Sequence, residues 1–467
     1  MKRFLITLVS LATSVAWAAQ NGESVAPGAP SVPESGPLRI DLPTALQLGN
    51  ARNFEIALAK ERVEQATAQL KQKSYLIIPT LSFGASWHHA EGRLQDSVGR
   101  IRDVSRSSAF FGGGVGAVGA GPIMQPGLGV TANLAEIYFA PLAARQNRDA
   151  MQAASDAADN QVTLQVAEAY FELVRARAGL GVAEEALRNS SELTKVTGDF
   201  AATGEGLQSD AQRAKVGELI SLRNLERARE AQEVAAARLA QLLHLDAAVE
   251  LEPVNANPAP VQLAGAGKST EELVTSALAN RPEIRQTDFM LNRAESDLKS
   301  ARFGAALPNI AVGVSGGGLG GGFGGGIANS GSRTDVNALV FWRLEGLGLG
   351  ERQRIKASRS ELEQARHSRA GVVQAVIAEV RAARAQVESR RRQIAIAEEA
   401  VKSARKSFEL NRQRIYERQG LPIEVLQSIE SLATARQLHI DTVTDYNQAQ
   451  YRLLTAVGGA GSDVRDQ

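Results

Sequence analysis

The chain has 467 residues, 52 basic and 51 acidic side chains, 44% hydrophobic residues and no cysteine. The absence of cysteine excludes a disulfide scaffold, thiol redox chemistry, Fe–S clusters, thiolate zinc sites and a lipid anchor on an N-terminal cysteine. The near-neutral charge argues against nucleic-acid binding, and the hydrophobic share is ample for a core. The length suggests two or three ordinary domains.

Lys2 and Arg3 precede an apolar run from Phe4 to Val15, which ends in Ala16-Trp17-Ala18. A basic start, a short apolar core and a small-x-small site make residues 1–18 a secretory signal peptide. Residues 19–37 are rich in Pro, Gly and Ser and read as a linker. Beyond the leader no apolar run approaches the ~18 residues of a membrane helix, although β-barrel strands escape that test.

The rest of the chain reads as one unit written twice. Ala51-Arg52-Asn53-Phe54-Glu55-Ile56 recurs as Ala279-Asn280-Arg281-Pro282-Glu283-Ile284, and Pro79 and Pro308 each open an alternating segment. Arg145-Gln146 pairs with Arg352-Gln353, Gly206 and Asp210 with Gly420 and Glu424, and Arg238-Leu239 with Arg452-Leu453. Preserved order across so many matches signals duplication. The repeats span 38–250 and 269–458, joined by a linker at 251–268 and followed by a tail at 459–467. Each repeat is expected to run short helix, strand, loop, strand, long helix, short helix.

Helices are expected near 42–76, 141–203, 207–243, 270–303, 344–418 and 422–456. In the first long helix Val162, Val166, Ala169, Leu173, Ala176, Leu180, Ala183 and Leu187 keep a 4-3 spacing. Val376, Val380, Ala383, Val387, Ile394, Ala397 and Val401 do so in the second, with Arg390 breaking the row. Such seams pack helices side by side. At ~1.5 Å per residue the first long helix reaches roughly 95 Å, too tall for a compact domain. Pairs of short helices stacked end to end beside each long one would build a palisade of even height.

The hairpins, about 79–140 and 308–343, hold the strands. Leu81, Phe83, Ala85 and Trp87 alternate with small or polar neighbours, as do Ile310, Val312 and Val314, and the return strands Leu128–Leu134 and 335–343 alternate as well. Lengths near ten residues suit tilted transmembrane strands, with Trp87 near one rim and Tyr138 and Trp342 near the other. Residues 111–129 hold eight glycines and 316–326 hold nine, and both read as exposed loops. Four strands leave two open edges that lipid cannot satisfy, so several chains must complete one barrel. Since single-chain barrels begin at about eight strands, at least two copies are needed, and three give twelve strands with room for a lumen.

The duplicated layout, Asn280-Arg281-Pro282-Glu283-Ile284, Leu307-Pro308-Asn309-Ile310, Phe139-Ala140-Pro141-Leu142 and Gly206-Leu207-Gln208-Ser209-Asp210 resemble the TolC-like outer-membrane efflux protein family over about 38–458. The resemblance implies an α+β membrane protein, with a homotrimeric twelve-stranded β-barrel, four strands per chain, continuing into a long periplasmic α-helical barrel. It implies a passive exit duct in the outer membrane, served by a periplasmic adaptor protein and an inner-membrane transporter. Two departures stand out. Phe341-Trp342-Arg343-Leu344 lacks the family's proline at the second strand-to-helix junction, and there is no lipid-anchoring cysteine.

By the same resemblance Asp210, Glu424 and Gln427 stand where acidic residues ring the tunnel entrance. Carboxylates converging on a narrow axis would repel, attract cations and raise one another's pKa. Pro422 and Glu424 equally make a normal helix start, and Asp210 lies in a first turn, so gate and cap both remain open. Gly204, Gly206, Leu207, Ser209, Gly420, Leu421 and Pro422 are the adaptor-contacting candidates, and also plain inter-helix turns.

Other signals are set aside. Gly265-Ala266-Gly267-Lys268-Ser269-Thr270 imitates the end of a phosphate loop, yet Gln262 stands where a glycine is required, and Ser269 with Glu272 makes a capping box. His88-His89 has no third histidine nearby for a metal. No nucleophile, base and acid converge, so neither an enzyme nor a cofactor is expected. The rival reading is a soluble periplasmic coiled-coil scaffold or adaptor, which the four alternating strands disfavour.

Overall fold

A computed structural model describes residues 37–459 except 79, 82, 115–127, 247–248, 264–266, 325 and 327–328. The signal peptide, all of the linker but Pro37, and all of the tail but its first residue lie outside the described residues. The described chain is mostly helical with one antiparallel sheet. In order it forms β1 (Leu38–Ile40), α1 (Leu42–Arg52), α2 (Phe54–Ser74), β2 (Thr80–Leu81), β3 (Phe83–Gln95), β4 (Ile101–Gly114), β5 (Leu128–Asn133), α3 (Leu134–Ala202) and α4 (Gln208–Leu242). There follow β6 (Leu251–Pro253), α5 (Thr270–Asn280), α6 (Pro282–Gly304), β7 (Asn309–Phe323), β8 (Asn329–Phe341), α7 (Leu349–Tyr416) and α8 (Pro422–Val457). Among the described residues no helix is long and apolar enough to cross a membrane.

The sheet is four strands wide. β2 and β3 lie in line as one edge, and β4 and β5 lie in line beside them. Ser315–Phe323 of β7 pairs with β4, and Asn309–Val314 with β5. β8 pairs along the other side of β7 and forms the second edge. Ile310, Val312 and Val314 stand opposite Val340, Ala338 and Val336, so their apolar side chains share one face. The other face carries Gly313, Ser315 and Asp335.

This register corrects the glycine reading. Residues 316–323 are strand, as are 111–114 and 128–129, whereas 115–127 lie outside the described residues. Glycine has no intrinsic strand preference, but β7 is central, and its backbone is paired on both sides. Ladder hydrogen bonds on two flanks outweigh weak propensity. The close approach also has a use: a Cβ at Gly321 would meet the Ser107 carbonyl oxygen at 2.9 Å.

The strand-to-helix junctions differ from expectation too. The first long helix begins at Leu134, not near 141, so Leu134 is not strand and Tyr138 sits in the helix's second turn. Asn133 ends β5 and caps α3, its side-chain oxygen accepting from the Ala135 and Glu136 amides at 2.8 and 3.4 Å. Its amide nitrogen donates to the Gly304 carbonyl at 3.1 Å, tying the cap to α6. At the second junction glycine replaces the missing proline. Gly346, Leu347 and Gly348 all take positive φ (57, 58 and 90°) before α7 starts at Leu349. Left-handed backbone turns the chain where proline would have bent it.

The helices form a layer four wide continuing the sheet. α3 packs against α2 and α6 on the sheet side, and against α4 and α8 towards the far end, while α7 packs against α6 and α8. α2 and α4 therefore share one outer flank of α3, and α7 forms the opposite edge. Each expected short helix near 42–76 and 270–303 is two helices, broken at Asn53 and Arg281. Asn53 accepts from the Glu55 amide at 2.8 Å, and the exposed Phe54 amide donates to His244 Nε2 at 3.3 Å. In the second repeat Pro282 has no N–H to satisfy. Arg281 instead pairs with Glu283 at 2.8 Å and with Glu379 across on α7. Burial pushes the Glu283 carboxyl up, but the hydrogen bond and charge of Arg281 outweigh it and hold it below the usual range.

Two cores sit at the waist, where β1 and β6 pair in parallel. One gathers Ile40, Leu46, Val166, Leu173, Leu243 and Tyr451, and burial pushes the Tyr451 hydroxyl up to about 12. The other gathers Leu273, Ile284, Val376, Val380 and Leu453. Arg390 breaks the apolar row for a reason: it pairs with Asp445 of α8, which Arg175 Nη2 of α3 also reaches at 2.5 Å.

Ser269 and Glu272 form the capping box, with reciprocal bonds of 3.2 and 2.6 Å. Ser269→Ala is expected to cost about 1 kcal/mol, read as a lowered thermal midpoint of the purified protein.

Candidate functional site

The long helices end in two turns at the pole opposite the sheet. In the first, the Glu205 and Gly206 amides both donate to the Phe200 carbonyl at 2.9 Å. In the second, the Gln419 and Gly420 amides donate to the Arg414 carbonyl at 2.9 and 3.0 Å. The left-handed position is Gly204 in one turn (φ 77°) and Arg418 in the other (φ 61°). Gly206 is favoured by close approach, since a Cβ there would meet Phe200 Cβ at 2.9 Å, and at Gly420 a Cβ would make a tight 3.1 Å contact with Arg414 Cβ. Leu207 and Leu421 are extended, exposed and precede α4 and α8, where Pro422 takes the first helical position. Ser209 is exposed in the first turn of α4.

Each acidic candidate has a cationic neighbour in its own chain. Asp210 pairs with Arg213 at 3.2 Å. Glu424 pairs with Arg414 at 3.3 Å, and its carboxylate accepts from the Leu421 amide at 3.5 Å, a long capping contact. Gln427 lies one turn further on. A cap and a charge partner together make a carboxylate rigid rather than free.

Sequence reasoning missed the groups that join the two turns. Arg418 reaches Glu205 with Nη1 at 3.2 Å and Nη2 at 3.0 Å, and its guanidinium lies over the Phe200 ring at 5.7 Å. Higher up, the Tyr416 hydroxyl donates to Glu192, which lies 3.8 Å from Arg412. These contacts tie α3 of the first repeat to α7 of the second. The repeat offset that relates Gly204 to Arg418 was the available signal, since an arginine in a glycine's place marks a side chain with a role. His89, set aside as a ligand, bonds Ser107 at 2.9 Å within the sheet.

A sheet four strands wide with two open edges, above a tall helical layer also open at both edges, cannot enclose anything alone. Residues 273–459 match the family described as outer membrane efflux protein. No curated protein matches the chain by sequence. By structure it is similar to the outer-membrane channel OprN, at 17% identity, covering 92% of this chain and 99% of that one, with a TM-score of 0.75. It is similar to the Campylobacter jejuni CmeC outer membrane channel (16% identity, 91% and 88% coverage, TM-score 0.74). It is similar also to the Neisseria gonorrhoeae MtrE outer membrane channel in its open state (19% identity, 94% and 96% coverage, TM-score 0.72).

The fold is that of the outer-membrane efflux channels. The family match itself covers residues 273–459, in the second repeat.

Proposed function

We propose that three copies close into one twelve-stranded barrel continued by a helical tunnel, and that this assembly is the passive exit duct of a tripartite efflux or secretion system. An inner-membrane transporter supplies energy and a periplasmic adaptor protein links the two. The observation that carries the reading is the alignment of open edges: β3 and β8 bound the sheet while the α2/α4 flank and α7 bound the helices. Unpaired strand edges are not tolerated in lipid, and about eight strands are the minimum for a barrel. On this reading residues 1–18 direct export and the repeats 38–250 and 269–458 each supply a third of one half of the wall.

The turns form the tunnel's entrance, with Gly204, Gly206, Leu207, Ser209, Gly420, Leu421 and Pro422 meeting the adaptor. Asp210, Glu424 and Gln427 then line the narrow axis, where three copies of each accumulate. Purified protein should be trimeric in mild detergent and conduct ions in planar bilayers. A monomer that conducts would overturn the reading.

Glu424→Ala removes three carboxylates from the entrance and frees Arg414, so cation block should weaken and conductance change measurably. Unaltered conductance together with unaltered block would leave Glu424 only its capping role. Substitution costs about 1 kcal/mol in capping, too little to unfold the tunnel.

A further inference from the structure

Strand register assigns each charged side chain of the sheet to one of its two faces. Asp335 stands opposite Ser315 and Arg333 opposite Gly317, on the face that carries Gly313 and away from Val312 and Val314. On β4, Arg106 stands opposite Phe323 of β7 and Ala90 of β3, and Arg102 opposite Leu94, which puts both arginines on that same face. Glu91, Arg93 and Asp103 have the other parity and share the face of Trp87. Among the described strands, one face therefore bears three arginines and one aspartate, and the other bears one arginine and two acids.

The aspartate is already committed. Its side chain, only 18% exposed, pairs with Arg333 at 2.8 Å. Arg102 leans on Asp96 of the hairpin turn at 3.7 Å, and that carboxylate also accepts from the Val98 and Arg100 amides at 3.1 and 2.9 Å. Arg93 on the other face is balanced by Asp103 at 3.5 Å. Arg106 is exposed and makes no ion pair among the described residues.

Arg106 also sits at the lip of the wall. Pairing of β4 with β7 ends at Arg106 and Phe323, and beyond them only the ribbon of β3 and β4 continues. From Asn309 at the base to Phe323 the strand covers about 46 Å, or about 33 Å of height at a tilt near 45°. That height lies just above an apolar band of about 25 Å, where the lumen of the proposed barrel opens to the exterior.

We infer that Arg106 is the charge-selecting residue of the exit: its copies ring the outer mouth of the lumen and favour solutes carrying carboxylate, sulfate or phosphate groups over cations. The inference rests on the duct reading and adds to it the chemical class that the exit passes most readily. An arginine facing a water-filled lumen costs little to keep, and a ring of one sign at a pore mouth concentrates ions of the other. Arg102, higher on the ribbon, adds the same sign to the path.

The test uses the purified full-length trimer in planar bilayers, with inositol hexakisphosphate as the polyanionic probe. The helical layer is too tall and polar to cross lipid, so the hairpins face the compartment opposite the one to which protein is added. Probe placed on the hairpin side should block the current. Arg106→Gln should weaken that block by at least about tenfold, Arg106→Lys should retain it, and Arg93→Gln, which removes the same charge from the other face, should leave it unchanged. A wild-type channel that the probe does not block from the hairpin side overturns the inference while leaving the duct standing. So does a block that survives Arg106→Gln, or one that is lost with Arg93→Gln instead. A trimer that never conducts removes the duct reading itself, and this inference with it.

Discussion

Val314→Arg is expected to abolish assembly in the outer membrane, whereas Leu319→Arg is expected to leave it intact. Val314 and Leu319 lie on the same strand with opposite parity, so alternation puts them on opposite faces of the sheet. Val314 stands opposite Val336 beside the Val312 and Ala338 pair, on the apolar face that the proposed barrel turns to lipid. From Ile310 to position 320 the strand covers about 33 Å, which at a tilt near 45° matches an apolar band of about 25 Å, and Val314 falls near its middle. An arginine at the midplane costs about 2–4 kcal/mol per copy, and closure of a trimer repeats that cost three times over. The measurable result is loss of heat-resistant trimer from the outer-membrane fraction. In the proposed barrel Leu319 is on the lumen side, so its substitution by arginine should preserve the trimer and shift ion selectivity towards anions. Retention of trimer with Val314→Arg and its loss with Leu319→Arg would reverse the assignment of faces.

The second large effect is expected at Asp445. Its carboxylate lies between Arg175 of α3 and Arg390 of α7, and all three side chains are only a quarter to a third exposed. Asp445→Ala leaves two guanidinium groups facing each other with their shared counter-charge gone, since Arg175 keeps only looser contacts to Glu172 at 3.5 Å and Asp441 at 3.6 Å. Breaking a buried pair from one side costs about 3–5 kcal/mol, and partial exposure here reduces that to about 2–3 kcal/mol. The readouts are a lower thermal midpoint and faster hydrogen exchange in 165–180, 385–395 and 440–450. Asp445→Asn, which keeps a side-chain acceptor, should lose less. An unchanged midpoint with unchanged exchange for Asp445→Ala would show that water already carries these charges.

The acid side of the stability profile has a separate origin at the Arg281 clasp. Glu283 is held below the usual carboxylate range, so its contribution is complete above its unfolded pKa and is lost as the pH falls through the lower folded value. Glu283→Gln should flatten that part of the profile.

Much of this architecture is legible in one dimension because it is periodic. Val162, Val166, Ala169 and Leu173 of the first 4-3 row and Val376, Val380, Ala383 and Val387 of the second pack into the two cores, and the alternation at 309–315 and 335–341 is sheet in fact. Capping chemistry is equally local, as Ser269 with Glu272 illustrates. Among the site residues the glycines of both turns were visible, because close backbone approach and positive φ leave few other choices. The ties from Glu205 to Arg418 and from Glu192 to Tyr416 were not, because their partners are more than two hundred residues apart.

What the sequence by itself determined is therefore the set of faces: which side of each helix and strand is apolar, and that neither layer has material enough to close. The tertiary structure alone decided where pairing overrides composition. Position 316 and its glycine-rich successors extend as strand because backbone groups on both flanks demand partners, and Leu134 begins a helix because Asn133 is fixed by α6. Arg390 interrupts an apolar row because a carboxylate from another helix waits there. Local periodicity records what a residue prefers to face, whereas the identity of the group it faces is set only when distant segments meet.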